Sequence, residues 1–302
     1  MKRIEISVHI KTILQALLVT FLWSTSFVII KKGLLDIPPI TFAGLRYGLA
    51  WLFFLPIILH SKHKSEIRKL TKLQWEKLIL LGLVFYTFTQ GAQFLGLYYL
   101  PSVTVSLMLN FTPIIVAVMG IFILNEKPSI IQWGGSGLFL IGISTYFFPV
   151  SLAGNRALGL AIMGFGILAN AGATIIGRDV NRNKNIHPII ITFISMGIGA
   201  AILIIIGLLA DGIPTINFKS WIYLIWLAGV NTAFAFTLWN YTMRSLTAME
   251  SSIINGTMLI QIAILAWIFL RESITFQEGI GMLIAAIGAI LVQLGKKKEL
   301  KI

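Results

Sequence analysis

One charged residue, Arg46, falls well inside an apolar stretch of this chain, roughly 10 Å from the nearer end at 1.5 Å per helical residue. Placing a guanidinium there costs about 2.5–3.5 kcal/mol on insertion scales, so it needs a partner or a duty. Two readings stay open: a clamp for a substrate carboxylate, or an arginine whose bonds to carbonyls or the interface fix helix packing. Tyr86, Gln90 and Gln93 recur at i, i+4 and i+7, which on an α-helix puts them on one face. Asn231, Ala235 and Trp239 repeat that pattern later in the chain. Such stripes combine aromatic faces with amide donors and acceptors, the chemistry that holds a small, partly apolar polar solute. Trp23, Asn110, Asn170 and Asn255 complete the set of candidate binding residues. Each has a second reading as a polar contact between helices, worth roughly 0.6 kcal/mol on average in a membrane.

Other chemistry is missing. With no cysteine there is no disulfide, thiolate nucleophile or Cys-based metal site. His9, His60, His63 and His187 lie at the ends of apolar stretches or in loops, without metal-ligand spacing. No H-E-x-x-H, paired aspartates or Ser/His pair lies within an apolar stretch, so no enzyme, cofactor or metal centre is expected. Glu126, Glu250 and Glu272 sit at stretch ends, which leaves no mid-membrane acid for proton exchange against a lipophilic cation.

The elements that must position these residues are membrane spans. A hydrophobic content of 57% and a mean hydropathy of +0.89 exclude a water-soluble globule. Ten apolar runs are long enough to cross a hydrocarbon core about 30 Å thick: 12–30, 39–59, 78–98, 103–124, 130–148, 157–177, 189–210, 220–240, 248–270 and 276–294. They lack the alternation of a barrel strand, so the expected fold is all-α and integral to the membrane. The first run follows Met1-Lys2-Arg3 but is too long for a signal peptide and has no small-x-small cleavage site.

Charge placement sets the topology. With the N-terminus inside, eighteen basic residues face the cytoplasm and five (Lys31, Lys32, Arg156, Lys219, Arg271) face out. This bias puts both termini in the cytoplasm, and the net charge of +13 then reports orientation rather than a nucleic-acid partner. Connections are short. The longest runs from His60 to Lys77, where Ile67, Leu70 and Leu73 on helical spacing, followed by Trp75, predict a short interfacial helix or a solvated loop.

The chain also repeats itself. Leu124-Asn125-Glu126 with Gly135 and Gly142 returns 146 residues later as Leu270-Arg271-Glu272 with Gly281 and Gly288. Five spans per copy would turn the second copy upside down, giving two inverted five-helix repeats, 1–150 and 151–302, around a central cavity. Asn110 and Asn255 match under this offset to within one residue, and Asn170 falls near the position equivalent to Trp23. Small residues four apart (Ser195 and Gly199, Gly197 and Ala201, Gly281 with Ala285 and Ala289) predict close helix contacts. For the last row, packing inside one chain is favoured over a homodimer face.

Four stretches together resemble the drug/metabolite transporter superfamily, in its ten-span EamA-type branch. They are Trp23-Ser24-Thr25-Ser26-Phe27, then Pro39 with Thr41 and Arg46, then Leu97-Tyr98-Tyr99-Leu100 leading to Pro113 and Glu126, and the Glu272, Gly281, Gly288 repeat. The resemblance covers essentially the whole chain. It implies a transporter in a prokaryotic cytoplasmic membrane that moves small metabolites, amino-acid-like and outward, by alternating access. A lipid flippase or a multidrug efflux transporter is the alternative. The chain departs from the pattern at Leu259, where the family often has proline, so a bend in the ninth span would fall to Gly256.

Overall fold

The computed structural model describes residues 2–60, 63–112, 114–116, 118–119, 129–148, 154–182, 186–242, 246 and 254–294. Every regular element among them is helical. Hydrocarbon offers a backbone no hydrogen bonds, so each segment must satisfy its own. In chain order the α-helices are α1 (Lys2–Gly33), α2 (Pro39–His60), α3 (His63–Arg68), α4 (Lys72–Leu81), α5 (Gly91–Tyr99), α6 (Ser102–Leu109), α7 (Ile130–Phe147), α8 (Asn155–Arg182), α9 (Pro188–Asp211), α10 (Phe218–Ala228), α11 (Ala235–Thr242), α12 (Met258–Leu270) and α13 (Phe276–Leu294). Two π-helical segments, Gly82–Gln90 and Gly229–Phe234, join α4 to α5 and α10 to α11.

Seven continuous helical stretches are long and apolar enough to cross a membrane: Ile10–Gly33, Pro39–Leu59, Lys72–Tyr99, Ile130–Phe147, Asn155–Gly177, Pro188–Asp211 and Phe218–Trp239. Shorter apolar helices, among them α6, Ile254–Leu270 and Phe276–Leu291, lie within or beside the other three expected spans. The chain is a multi-pass membrane protein. Pro113, Glu126 and Glu250 lie outside the described residues.

The helices gather into two compact units. One comprises Met1–Val28, Pro101–Ala157 and Thr237–Ile302. Its tightest contact joins α7 to α13 through the repeated glycines. A Cβ on Gly142 would stand against the Ala285 backbone nitrogen and 2.7 Å from the Gly281 carbonyl; one on Gly288 would stand 2.7 Å from the carbonyl of Gly135. As numbering rises along α7 it falls along α13, so these helices run antiparallel. The first glycine of each copy thereby packs on the second glycine of the other. Ala285 and Ala289 are buried in this same contact with Phe139 and Tyr146, which places the small-residue row inside the chain. Capping boxes at equivalent positions start both helices: Ser129 with Gln132, and Thr275 with Glu278.

The other unit comprises Ile29–Leu100 and Leu158–Phe236. Here α2 and α9 approach closely and antiparallel: a Cβ on Gly207 would meet Thr41 Cα at 2.8 Å, and one on Gly44 would meet the Ile204 nitrogen at 2.7 Å. Gly199 lies against Tyr86 and the Gly82 carbonyl, and Gly197 lies under the Trp51 indole. Ser195, Gly197 and Gly199 therefore work as helix contacts, whereas Ala201, expected beside Gly197, is exposed. Thr71 caps α4, and Asn217, 146 residues later, caps α10. Ile67 and Leu70 turn inward onto a cluster containing Leu78 and Ile190, whereas Leu73 is 61% exposed; α3 ends at Arg68 and α4 takes up the connection again from Lys72.

Two more polar contacts tie this unit together. Lys31 Nζ donates to the carbonyls of Leu97 and Leu100, satisfying the end of α5. The Asp36 carboxylate accepts from the Ser220 hydroxyl (2.7 Å) and the Asn217 amide (2.8 Å), which clamps the α1–α2 connection to the start of α10. These two hydrogen bonds, Ser220 first, hold the Asp36 carboxyl below the ordinary aspartate value of 3.8.

Gly142→Ala is expected to lower the melting midpoint in detergent by several degrees, the scale of about 1–3 kcal/mol of overpacking. Gly137→Ala, whose new methyl meets nothing within 4 Å, should leave the midpoint unchanged. Equal midpoints for the two variants would show that the α7–α13 backbone gives way. Because folding lowers the Asp36 pKa, its stabilisation is complete above the unfolded carboxylate value and disappears as pH falls through the folded one. Melting midpoints of wild type and Asp36→Asn should therefore differ at pH 7 and converge in acid; a difference independent of pH would assign the effect to shape alone.

Candidate functional site

Irregular backbone marks candidate positions in each unit taken by itself. A π-helix is rare, holds an extra residue per turn and often lies at functional positions. Here the two π segments start at Gly82 and Gly229, equivalent to within one residue under the repeat, and a threonine hydroxyl bonds five residues back in each. Thr89 Oγ1 donates to the Val84 carbonyl at 2.9 Å, and Thr232 Oγ1 to the Leu227 carbonyl at 2.8 Å.

In the unit containing these segments, α2 presents Arg46 and Tyr47 to them. Arg46 is 4% exposed, and its Nε donates to Thr232 Oγ1 at 3.0 Å. Its guanidinium carbon lies 5.3 Å from the Tyr47 ring centre and 6.0 Å from that of Phe94. The Tyr47 hydroxyl donates to Gln90 Oε1 at 2.6 Å, and its ring meets Tyr86 edge-on at 5.4 Å. Asn231 is fully buried beside Thr232. Of the residues expected from sequence, Arg46, Tyr86, Gln90 and Asn231 thus belong to the two π segments and the helix that bonds to both. Gln93 is half-buried one turn beyond Gln90, and Asn170 is half-buried in α8, where its carbonyl accepts the Thr174 hydroxyl.

Sequence reading missed Tyr47, Phe94 and Thr232. An α-helical i, i+4 stripe skips Thr232, whereas the wider π turn brings it onto Arg46. The available signal was the glycine opening each segment together with a threonine able to bond five residues back.

In the other unit, Trp23 on α1 and Trp239 on α11 pack with ring centres 5.2 Å apart. Beside Trp23 on α1, Ser24 donates to Gln261 Oε1 (2.9 Å), and Gln261 Nε2 donates to Thr257 Oγ1 (2.9 Å) and Thr20 Oγ1 (3.3 Å). Gln261 was also missed, because α12 is otherwise uniformly apolar and the residue has no polar neighbour in sequence. The fourth and ninth spans tighten at equivalent points. Asn110 N and Phe111 N bond three residues back, and Thr257 N does the same to Ile254. The break in the ninth span thus centres on Thr257, the residue after Gly256. Asn110 folds its amide onto the Ser106 carbonyl at 2.8 Å, and Asn255 is exposed, so the two make no hydrogen bond to each other.

The second Leu-x-Glu, at Leu270 to Glu272, also has a local reason. Leu270 ends α12, Arg271 turns left-handed at φ 57°, and Glu272 then reaches the amide nitrogens of Ser102 (2.9 Å) and Val103 (3.4 Å) at the start of α6. A carboxylate there satisfies two orphan donors and complements the helix dipole.

Residues 10–148 and 157–294 each match the EamA-like transporter family. The chain belongs to that family. It is 24% identical over 294 residues to the uncharacterized transporter YoaV of Bacillus subtilis, covering 93% of this chain and 96% of that one. It is 28% identical over 243 residues to a protein of Escherichia coli named "Probable amino-acid metabolite efflux pump", covering 74% and 75% respectively. A solved structure titled only "Crystal structure of protein" superposes with a TM-score of 0.66 at 14% identity, covering 94% of this chain and 98% of the other, and shares the fold.

Glu272→Ala should destabilise this EamA-family protein by about 1 kcal/mol through loss of the cap. Glu272→Gln should retain part of that stability. Melting midpoints in detergent decide it, and indistinguishable values for all three proteins would remove the cap from the account.

Proposed function

We propose that this protein is a secondary transporter that exports small metabolites, amino acids and related compounds, by alternating access. The observation that carries this reading is the duplicated family match together with paired irregular backbone: π segments in the third and eighth spans and tightened turns in the fourth and ninth. Discontinuous helices at equivalent positions are what a solute site and a moving element both require in a membrane. The antiparallel glycine contact between α7 and α13 supports two inverted five-helix repeats, 1–150 and 151–302, across ten spans, with both termini in the cytoplasm. In this reading Arg46, Tyr86, Gln90, Gln93, Asn170 and Asn231, and likewise Trp23, Asn110, Trp239 and Asn255, are residues that supply polar and aromatic contacts to solute. The E. coli relative named as an amino-acid metabolite efflux pump supports the solute class.

The test is efflux from proteoliposomes preloaded with labelled amino acids and other small metabolites. Selective flux of one chemical class is expected, reduced about tenfold or more in Gln90→Leu and unchanged in Leu80→Ala, whose side chain is 47% exposed on the same span. Scrambling of labelled lipid without flux of any solute would replace the metabolite reading with a flippase.

A further inference from the structure

The geometry around Arg46 names the chemistry of the solute, given the transport reading above. A guanidinium is always charged and offers five N–H donors in a planar fork. Arg46 gives one of them to the protein, from Nε to Thr232 Oγ1. Among the described residues no acceptor engages its two terminal nitrogens, and no carboxylate lies within 4.0 Å of them. The residue is nevertheless buried, with 4% of its surface exposed. The acids of this unit act elsewhere: Asp36 holds Ser220 and Asn217, and Asp179 pairs with Lys77 at 2.6 Å.

The surroundings of the fork favour an anion. Thr232 accepts at Nε and so leaves the terminal nitrogens as the free edge. The ring centres of Tyr47 and Phe94 lie 5.3 and 6.0 Å from the guanidinium carbon, within the range of a cation–π contact. Tyr47 also donates to Gln90 Oε1, and no acceptor among the described residues takes up the Gln90 amide hydrogens. Gln90 thus offers neutral donors in the cluster that Arg46 charges. Donors and aromatic faces without an anionic acceptor form a receptor for a planar, bidentate anion with an apolar neighbour. We infer that Arg46 and Gln90 form a carboxylate subsite, with Thr232 as the residue that positions the guanidinium, and that the transported solute carries a free carboxylate.

The test is counterflow in proteoliposomes of the full chain, using solutes in matched pairs: an amino acid and its α-carboxamide. Wild type should prefer the acid by about tenfold or more. Arg46→Gln, shown to be monodisperse and to melt cooperatively, should move acid and amide equally. Thr232→Val keeps the charge and covers the case of an Arg46 variant that does not fold; it should retain the acid preference with a half-saturation raised about threefold. Equal flux of acid and amide through wild type overturns the subsite and leaves the transport reading standing. So does an acid preference that survives in folded Arg46→Gln, or one abolished in Thr232→Val, which would make the arginine a helix pin. No flux of either partner of any pair removes the transport reading itself.

Discussion

A backbone N–H or C=O in hydrocarbon has no water to turn to, and much of this structure follows from that constraint. Regular helix meets it by default, so the irregular places show where something else is being gained. At each π segment a threonine hydroxyl bonds a carbonyl five residues back. At the tightened turns the Asn110 amide bonds the Ser106 carbonyl, and the Thr257 hydroxyl bonds that of Ile254. At helix ends Glu272 takes the first amides of α6, and Lys31 takes the last carbonyls of α5. Each departure from the α ladder is thus supported by a nearby polar side chain, and those side chains are among the few polar groups the spans contain.

Close helix contact is the second consequence. Lipid tails are as apolar as leucine side chains, so burial alone does not drive helices together; packing at short range must. Glycine at 135, 142, 281 and 288 allows α7 and α13 to meet backbone to backbone, and Gly44 and Gly207 do the same for α2 and α9. Both contacts leave no room for a methyl group, and both join equivalent helices of the two copies in antiparallel order.

Arg46 belongs where these features meet. Its Nε bond to Thr232 ties α2 to the π segment whose own turn Thr232 closes, so one hydroxyl serves both backbone geometry and the placement of a charge. Tyr47, next in sequence, reaches the other π segment through Gln90. Two adjacent residues of one helix therefore engage both irregular segments.

Much of this was legible in the sequence. Hydropathy and run length determined the helices, because hydrocarbon permits no other open structure. The Glu-Gly-Gly spacing revealed the duplication, and the small-residue rows announced the close contacts, since only glycine and alanine allow backbones to meet. A lone arginine in an apolar run marked the region of interest, because charge there is too costly to be idle. The tertiary structure decided what periodicity could not reach. A π turn shifts the helical face by one residue, so Thr232 rather than the stripe read at 3.6 residues per turn meets Arg46. Gln261 acquires its role only when α1 brings Thr20 and Ser24 beside it, and Asn110 spends its amide on its own helix because the turn at that point frees a carbonyl. Periodicity depends on local geometry alone, whereas partners far apart in the chain are chosen by packing, and packing becomes visible only once the helices are in place.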